Sequence, residues 1–155
     1  MSTHVSSSDQ PGEPRPLIPA LARFYPKATD LAWALVRVTA GLMLIPHGWP
    51  KVGMGPTAVG TRVSQGMEPV IFWGALIIFL ETIGGLLIAV GLFTRIVAAL
   101  LFIQFLVIWK VHWPRGWSAS VGGLEFVIMW GLLFLAIMLR GGGPYSLDRK
   151  LGWEV

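Results

Sequence analysis

EPVIFWGALIIFLETIGGLLIAVGLFTR, residues 68–95, is the stretch that decides the fold of this chain. Between Glu68 and Arg95 the only ionisable residue is Glu81. About 20 apolar residues in a helix cross a hydrocarbon core of about 30 Å, so this stretch predicts a membrane-spanning helix. Glu81 lies near its midpoint, where a charge costs about 2.5 to 3.5 kcal/mol on insertion scales. Such residues usually face a protein interior, which makes Glu81 our first candidate functional residue.

The composition of the whole chain also indicates an integral membrane protein. Its 155 residues are 54% hydrophobic and 13% charged, whereas soluble domains are about 25% charged. Four apolar stretches have about the length of a span, namely Leu31–Trp49, Val70–Phe93, Ile96–Trp113 and Val121–Leu139. We therefore predict an all-α fold, a bundle of four transmembrane helices.

The domain organisation predicted from these stretches is simple. Residues 1–22 are rich in Ser and Pro and have no apolar core of a signal peptide, so we expect a disordered cytoplasmic tail. Residues 23–150 form the membrane domain, and residues 151–155 a short C-terminal tail. The chain has no Cys, which excludes disulfides and thiolate metal ligands, and it shows no nucleic-acid-binding or metal motif.

Orientation follows from the distribution of Lys and Arg over the two sides. With cytoplasmic termini the inner side carries seven, Arg15, Arg23, Lys27, Arg95, Arg140, Arg149 and Lys150, and the outer side carries four, Lys51, Arg62, Lys110 and Arg115. The positive-inside rule therefore predicts a multi-pass protein of the bacterial inner membrane with both termini in the cytoplasm.

Polar residues gather at the predicted outer end of the bundle. His47 and Lys51 end the first span, Lys110 and His112 end the third, and Glu125 begins the fourth. These five residues are our candidates for ligand binding. For the lysines the competing interpretation is snorkelling to the interface. For the histidines it is an interfacial position with no role in ligand binding.

Arg37 is the second charge placed within a span. At 1.5 Å per residue, Arg37 lies about 9 Å and Glu81 about 15 Å from the inner boundary, so an ion pair between them is feasible. Gly41, Gly84 and Gly85 would let the helices approach closely at this level. We assign the two charges to proton exchange or to a buried pair; the structural alternative is that they only fix helix register.

In their order along the chain, these residues resemble the DoxX family of small four-helix membrane proteins. The resemblance covers about residues 28–150 and is carried by Arg37, His47-Gly48 with Lys51, Glu81 with Gly84-Gly85 and Gly91, Thr94-Arg95, His112, Gly123 with Glu125, and the segment Gly141 to Asp148. Related DoxD-type subunits belong to thiosulfate:quinone oxidoreductase, and DoxX proteins are associated with membrane redox and oxidative-stress complexes. The resemblance thus implies a quinone-linked role.

The resulting functional prediction is a redox component that binds a quinone or a similar amphipathic ligand. No covalently bound cofactor is expected, so the electrons would come from a protein partner or a soluble reductant. Glu81 or Glu125 would exchange protons, and His47, Lys51 or His112 would donate hydrogen bonds. Two alternatives stay open: a small proton-coupled transporter with Glu81 as the coupling carboxylate, and a non-catalytic anchor subunit whose buried charges specify assembly. Besides the lipid bilayer and the ligand, the expected partner is a redox protein or a second copy of this chain.

Overall fold

The computed structural model describes residue 18 and residues 24–64 and 66–153, and this part of the chain is helical without strands. The main helices are α1 Tyr25–Met54, α2 Pro56–Val63, α3 Val70–Phe79, α4 Gly85–Val90, α5 Thr94–His112, α6 Leu124–Arg140 and α7 Leu147–Leu151. A π-helical turn, Leu80–Gly84, joins α3 to α4 into one rod.

Three of the described helical segments are long and apolar enough to cross a membrane: Tyr25–Met54, Val70–Val90 and Thr94–Arg115. They correspond to the first three predicted spans. The fourth prediction corresponds to α6, which has 17 residues and lies at the short end of the usual range. Helix α1 continues through Pro46 and Pro50, so its C-terminal turns reach beyond the predicted end at Trp49.

The helices pair as two hairpins. Helix α1 packs along the rod from α3 to α4, and α5 packs along α6. In the first pair α1 approaches the rod so closely that a Cβ at Gly41 would lie 2.3 Å from the Gly85 carbonyl oxygen. The expected close approach is thus confirmed for Gly41 and Gly85, while Gly84 has only ordinary contacts. The second pair is filled by stacked rings of Phe105, Trp130 and Phe134.

Helix α2 lies across the first turns of α3. A Cβ at Gly60 would meet the Val70 carbonyl oxygen at 2.0 Å, and one at Gly74 would meet the Pro56 carbonyl oxygen at 1.8 Å. Only residues without a side chain permit this contact. The loop after the first span is therefore a helix fixed against the bundle.

The two ends of the chain differ in what the structure describes. The tail predicted for residues 1–22 lies outside the described residues, except for Ile18. At the other end α6 stops before Gly141, which has φ 80°, a conformation that glycine adopts readily at a helix end. The chain then turns back to the bundle and forms α7, whose last residues cross the predicted boundary at 150/151.

Candidate functional site: a buried carboxylate beside an apolar groove

Glu81 lies in the π-helical turn Leu80–Gly84 and is only 3% exposed. The next residue helps to explain the widened turn: the Thr82 hydroxyl donates to the Ile78 carbonyl oxygen at 2.5 Å, a bond that competes with the backbone ladder. Gly84 and Gly85 follow, and glycine weakens a regular helix by about 1 kcal/mol. Such turns often occur at functional sites. The predicted interior position of Glu81 is confirmed.

Gly48 brings α1 directly against this turn. A Cβ at Gly48 would lie 2.8 Å from both the backbone carbonyl carbon and the Cβ of Glu81. Lys51 follows Gly48 by three residues and therefore lies on the same face of α1. The lysine side chain, 29% exposed, forms an ion pair between its Nζ and Glu81 Oε2. One end of the pair is thus buried, and the other reaches the surface of the bundle.

Gln104 supplies the second partner of Glu81. Its Nε2 donates to Glu81 Oε1 at 2.7 Å, and the residue is 6% exposed in the middle of α5. We call Lys51, Glu81 and Gln104 the Glu81 cluster; it joins α1, the π-helical turn and α5. Gln104 was not predicted as a site residue, because it carries no charge. The signal that could have identified it is an isolated amide within an apolar run.

An apolar groove adjoins the Glu81 cluster, between α3 and α5 and beneath the end of α2. Its cavity volume is about 110 Å³, which is smaller than the usual small-molecule site of about 300 to 1,000 Å³. Its walls include Ser64, Trp73, Leu76, Leu80, Ile103 and Gln104. Gln104 therefore belongs to both the groove wall and the Glu81 cluster.

Arg37 does not pair with Glu81, so that expectation is wrong. Its guanidinium donates to the carbonyl oxygens of Ile88 and Ala89, each at 2.7 Å, and to that of Tyr145 at 2.8 Å. The physical reason is that carbonyl oxygens of the last turn of α4 lie within reach of Arg37, and a cation is favoured at the C-terminal end of a helix. Lys51 occupies the place beside Glu81 that we expected for Arg37.

Asp148 anchors the C-terminal segment next to Arg37. Its carboxylate accepts from the backbone N–H groups of Phe93 and Thr94 at 2.7 and 2.9 Å, and from the Thr94 hydroxyl at 2.6 Å. These are the free donors at the start of α5. We call Arg37, Thr94 and Asp148 the Arg37 cluster; it fastens the turn between α4 and α5 to the segment before α7.

The other predicted ligand-binding residues do not line a common site with Lys51. His47 and Lys110 are exposed, and the His112 ring bonds to the Ile108 carbonyl oxygen in its own helix at 3.0 Å. Glu125 is exposed and accepts from the Ala119 N–H at 3.2 Å. Lys51 is the member of the predicted set that joins Glu81, because on α1 it follows Gly48 at helical spacing, whereas His47 lies on an exposed face.

The Glu81 carboxylate accepts from two side chains, Lys51 through Oε2 and Gln104 through Oε1. Among residues 24–64 and 66–153, no group of three His, Asp or Glu side chains is arranged to hold a metal ion.

Comparison with known proteins places these observations in a family. The DoxX family model matches residues 32–113. The chain is 32% identical over 130 residues to the inner membrane protein YqjF of Escherichia coli, covering 81% of this chain and 95% of the relative. It is also 26% identical over 121 residues to an uncharacterized protein of Haemophilus influenzae, covering 76% and 88% respectively. No solved structure matches the chain.

Proposed function

Because the chain belongs to the DoxX family, we propose that it is a bacterial inner-membrane component of a quinone-linked redox system. In this proposal Glu81 exchanges protons with a quinone held beside the Glu81 cluster. Reduction of a quinone to a quinol consumes two electrons and two protons. The electrons come from a protein partner or a soluble reductant, and Glu81 passes on the two protons one after the other, regaining a proton from the bundle surface through Lys51 after each transfer.

The membrane assignment rests on the helices and on a relative. The described chain has three helices suited to crossing a bilayer, and the Escherichia coli relative is named an inner membrane protein. We propose α6 as the fourth span; its 17 residues extend about 25 Å, which a short or locally thinned bilayer region accommodates. With four spans, the Lys and Arg distribution supports a topology in which both termini are cytoplasmic.

The observation that carries the proposal is a buried carboxylate between a partly exposed lysine and an apolar groove. The groove offers the apolar walls that a quinone ring and its isoprenoid tail require. Lys51 links the buried Glu81 to the bundle surface, where protons are available. Intramembrane carboxylates are commonly part of proton pathways, and general acid–base catalysis typically contributes 10²–10⁴-fold to a rate.

The test is a quinone titration of the purified full chain in lipid nanodiscs. We expect saturable binding of a short-chain quinone or quinol analogue to wild-type protein. Glu81→Gln should keep binding but lose proton uptake coupled to reduction, by at least about 10²-fold in rate. The matched control is Glu125→Gln, which removes an exposed carboxylate and should behave as wild type. Absence of binding of both redox forms would overturn the proposal.

The Lys51–Glu81 pair also favours one alternative, a proton-coupled transporter. A carboxylate that alternates between a lysine partner and a proton is suited to coupling a solute to a proton gradient. This alternative predicts no quinone binding, together with proton flux in sealed liposomes that stops in Glu81→Gln. Quinone binding without proton flux would therefore indicate the redox function, and proton flux without quinone binding would indicate the transporter.

A further inference from the structure

Buried polar side chains lie at two separate levels of the bundle. The level of the Arg37 cluster, at the turn between α4 and α5, holds four that are at most 4% exposed, Arg37, Thr94, Ser146 and Asp148. The other level holds Glu81 and Gln104. Ala89, whose carbonyl oxygen binds Arg37, follows Glu81 by eight residues, so the two levels are about 12 Å apart along the rod.

An apolar layer separates the two levels. On α1, α4 and α5 the buried side chains between them are all apolar and at most 5% exposed: Ala40, Leu44, Ile88, Val97, Ala98 and Leu101. Phe134 and Ile137 of α6, both 0% exposed, belong to the same packed core. We call these eight residues the apolar layer. Within the described part of the chain, no buried polar side chain links the Glu81 cluster to the Arg37 cluster through this layer.

This layer blocks proton movement toward the Arg37 cluster. A proton crosses a protein interior along polar groups or ordered water, and a buried water needs two to four polar partners. The side chains of the apolar layer offer none, and the backbone groups of its helices bond along each helix. Glu81 is therefore closed off from the side of the membrane on which the Arg37 cluster lies.

The charged contact of Glu81 lies on the opposite side. Lys51 Nζ pairs with Glu81 Oε2, and the lysine side chain is 29% exposed. Lys51 lies three residues before the end of α1 at Met54, about 5 Å along the helix, and a long lysine side chain can carry its ammonium group to an interface. Helices α3 and α4 contain no ionisable residue, and the α5 residue that contacts Glu81 is Gln104.

We infer that Glu81 exchanges protons with one side of the membrane, the side on which α2 lies, through Lys51. This inference rests on the proposed function, in which Glu81 carries protons, and specifies the side from which they come. With both termini in the cytoplasm, that side is the periplasm. Reduction of a quinone then takes its two protons from the periplasm, and oxidation of a quinol releases them there. A transporter, in contrast, must open its site to both sides in turn.

The test follows the infrared C=O band of protonated Glu81 in sealed proteoliposomes while the pH is changed on one side. The chain has no Cys, so Arg62→Cys in α2 reacts with an impermeant thiol reagent in those vesicles that carry α2 outside. In such vesicles, acidifying the outer solution should raise the band, and acidifying the lumen should not. The band is assigned by its loss in Glu81→Gln and its persistence in Glu125→Gln. A protonophore should make the band respond to either side.

Lys51→Met tests the route. It removes the group that joins Glu81 to the surface, so the response to the pH on the α2 side should slow by at least about 10²-fold, as for the loss of a positioned proton-transfer group. Lys110→Met removes an exposed lysine near the end of α5 and should respond as wild type does. An unchanged response rate in folded Lys51→Met protein would overturn the route through Lys51.

The outcomes separate this inference from the proposed function. A band that follows the pH on the Arg37 side, or on both sides, would overturn one-sided exchange and leave proton exchange by Glu81 standing. A band that follows the pH on neither side would overturn both, because Glu81 would then exchange no protons with water.

Discussion

The Arg37 cluster and the Glu81 cluster each bury a charge among apolar helices, but their partners differ in kind. Arg37 is held by three backbone carbonyls, which belong to the folded chain and cannot change protonation. Glu81 is held by two side chains, one of them partly exposed, beside a groove. A charge satisfied by backbone is suited to fixing a fold, and a charge satisfied by side chains is suited to chemistry.

The same difference extends to the surroundings. The Arg37 cluster supplies a charge of the favourable sign to each of the two helix ends at the turn between α4 and α5. The cation of Arg37 lies at the C-terminal end of α4, and the anion of Asp148 lies at the N-terminal end of α5. The Glu81 cluster lies in a widened helical turn and leaves an acceptor of Gln104 without a partner. The first arrangement is closed by backbone groups, and the second lies beside an apolar groove.

The largest expected effect is the loss of Arg37. Arg37→Met removes a 1% exposed cation and leaves the carbonyls of Ile88, Ala89 and Tyr145 without it, which should lower the free energy of unfolding by about 3 to 5 kcal/mol. Quinone binding per folded molecule should stay unchanged. Reversible unfolding in detergent measures the loss, with Arg62→Met, an exposed cation, as control. Wild-type stability in Arg37→Met would contradict a structural role.

The Glu81 cluster should respond asymmetrically to the loss of its two charges. Lys51→Met leaves a 3% exposed carboxylate without its cation and should cost about 2 kcal/mol. Glu81→Gln should cost less than about 1 kcal/mol, because the freed lysine can extend to the interface.

The double variant Lys51→Met with Glu81→Gln tests this coupling in the same unfolding assay. It should recover part of the loss of Lys51→Met, since replacing both partners removes the unpaired charge. Strictly additive losses of unfolding free energy would show that the two charges do not interact. The distinction between the Glu81 cluster and the Arg37 cluster would then be contradicted.

A smaller effect is expected from the helix contact behind Glu81. Gly48→Ala places a methyl group 2.8 Å from Glu81 Cβ and should cost about 1 to 2 kcal/mol through overpacking, while displacing Glu81 from Lys51. Gly53→Ala in the same helix meets nothing within 4 Å and should be neutral or stabilise by up to about 1 kcal/mol. Thermal unfolding of the two variants tests this; equal shifts would refute the close contact.

Features set by local composition were predictable from the sequence. The interior position of Glu81, the approach of Gly41 to Gly85 and the helix stop at Gly141 each follow from neighbouring residues. The partner of Arg37 was predicted wrongly, because charge and depth in a span do not reveal how each helix is rotated. The carbonyl oxygens at the end of α4 bind the guanidinium in place of the carboxylate.

The remaining parts of the site depend on tertiary packing. The π-helical turn arises from Thr82, two glycines and the contact with Gly48, and no single residue encodes it. Asp148 was identified only as part of a family motif, because its donors, two backbone N–H groups and the Thr94 hydroxyl, lie more than fifty residues away in the chain. A rule that treats an isolated amide in an apolar run like a charge would have found Gln104.

The claim that Glu81 changes protonation with a bound ligand is tested most directly by redox-induced infrared difference spectroscopy. Reducing a bound quinone analogue in wild-type protein should change a carboxyl C=O band, and that change should disappear in Glu81→Gln while persisting in Glu125→Gln. The Glu81 cluster would then be the proton-exchange site. A band that persists unchanged in Glu81→Gln, in protein that binds the analogue, would contradict the account.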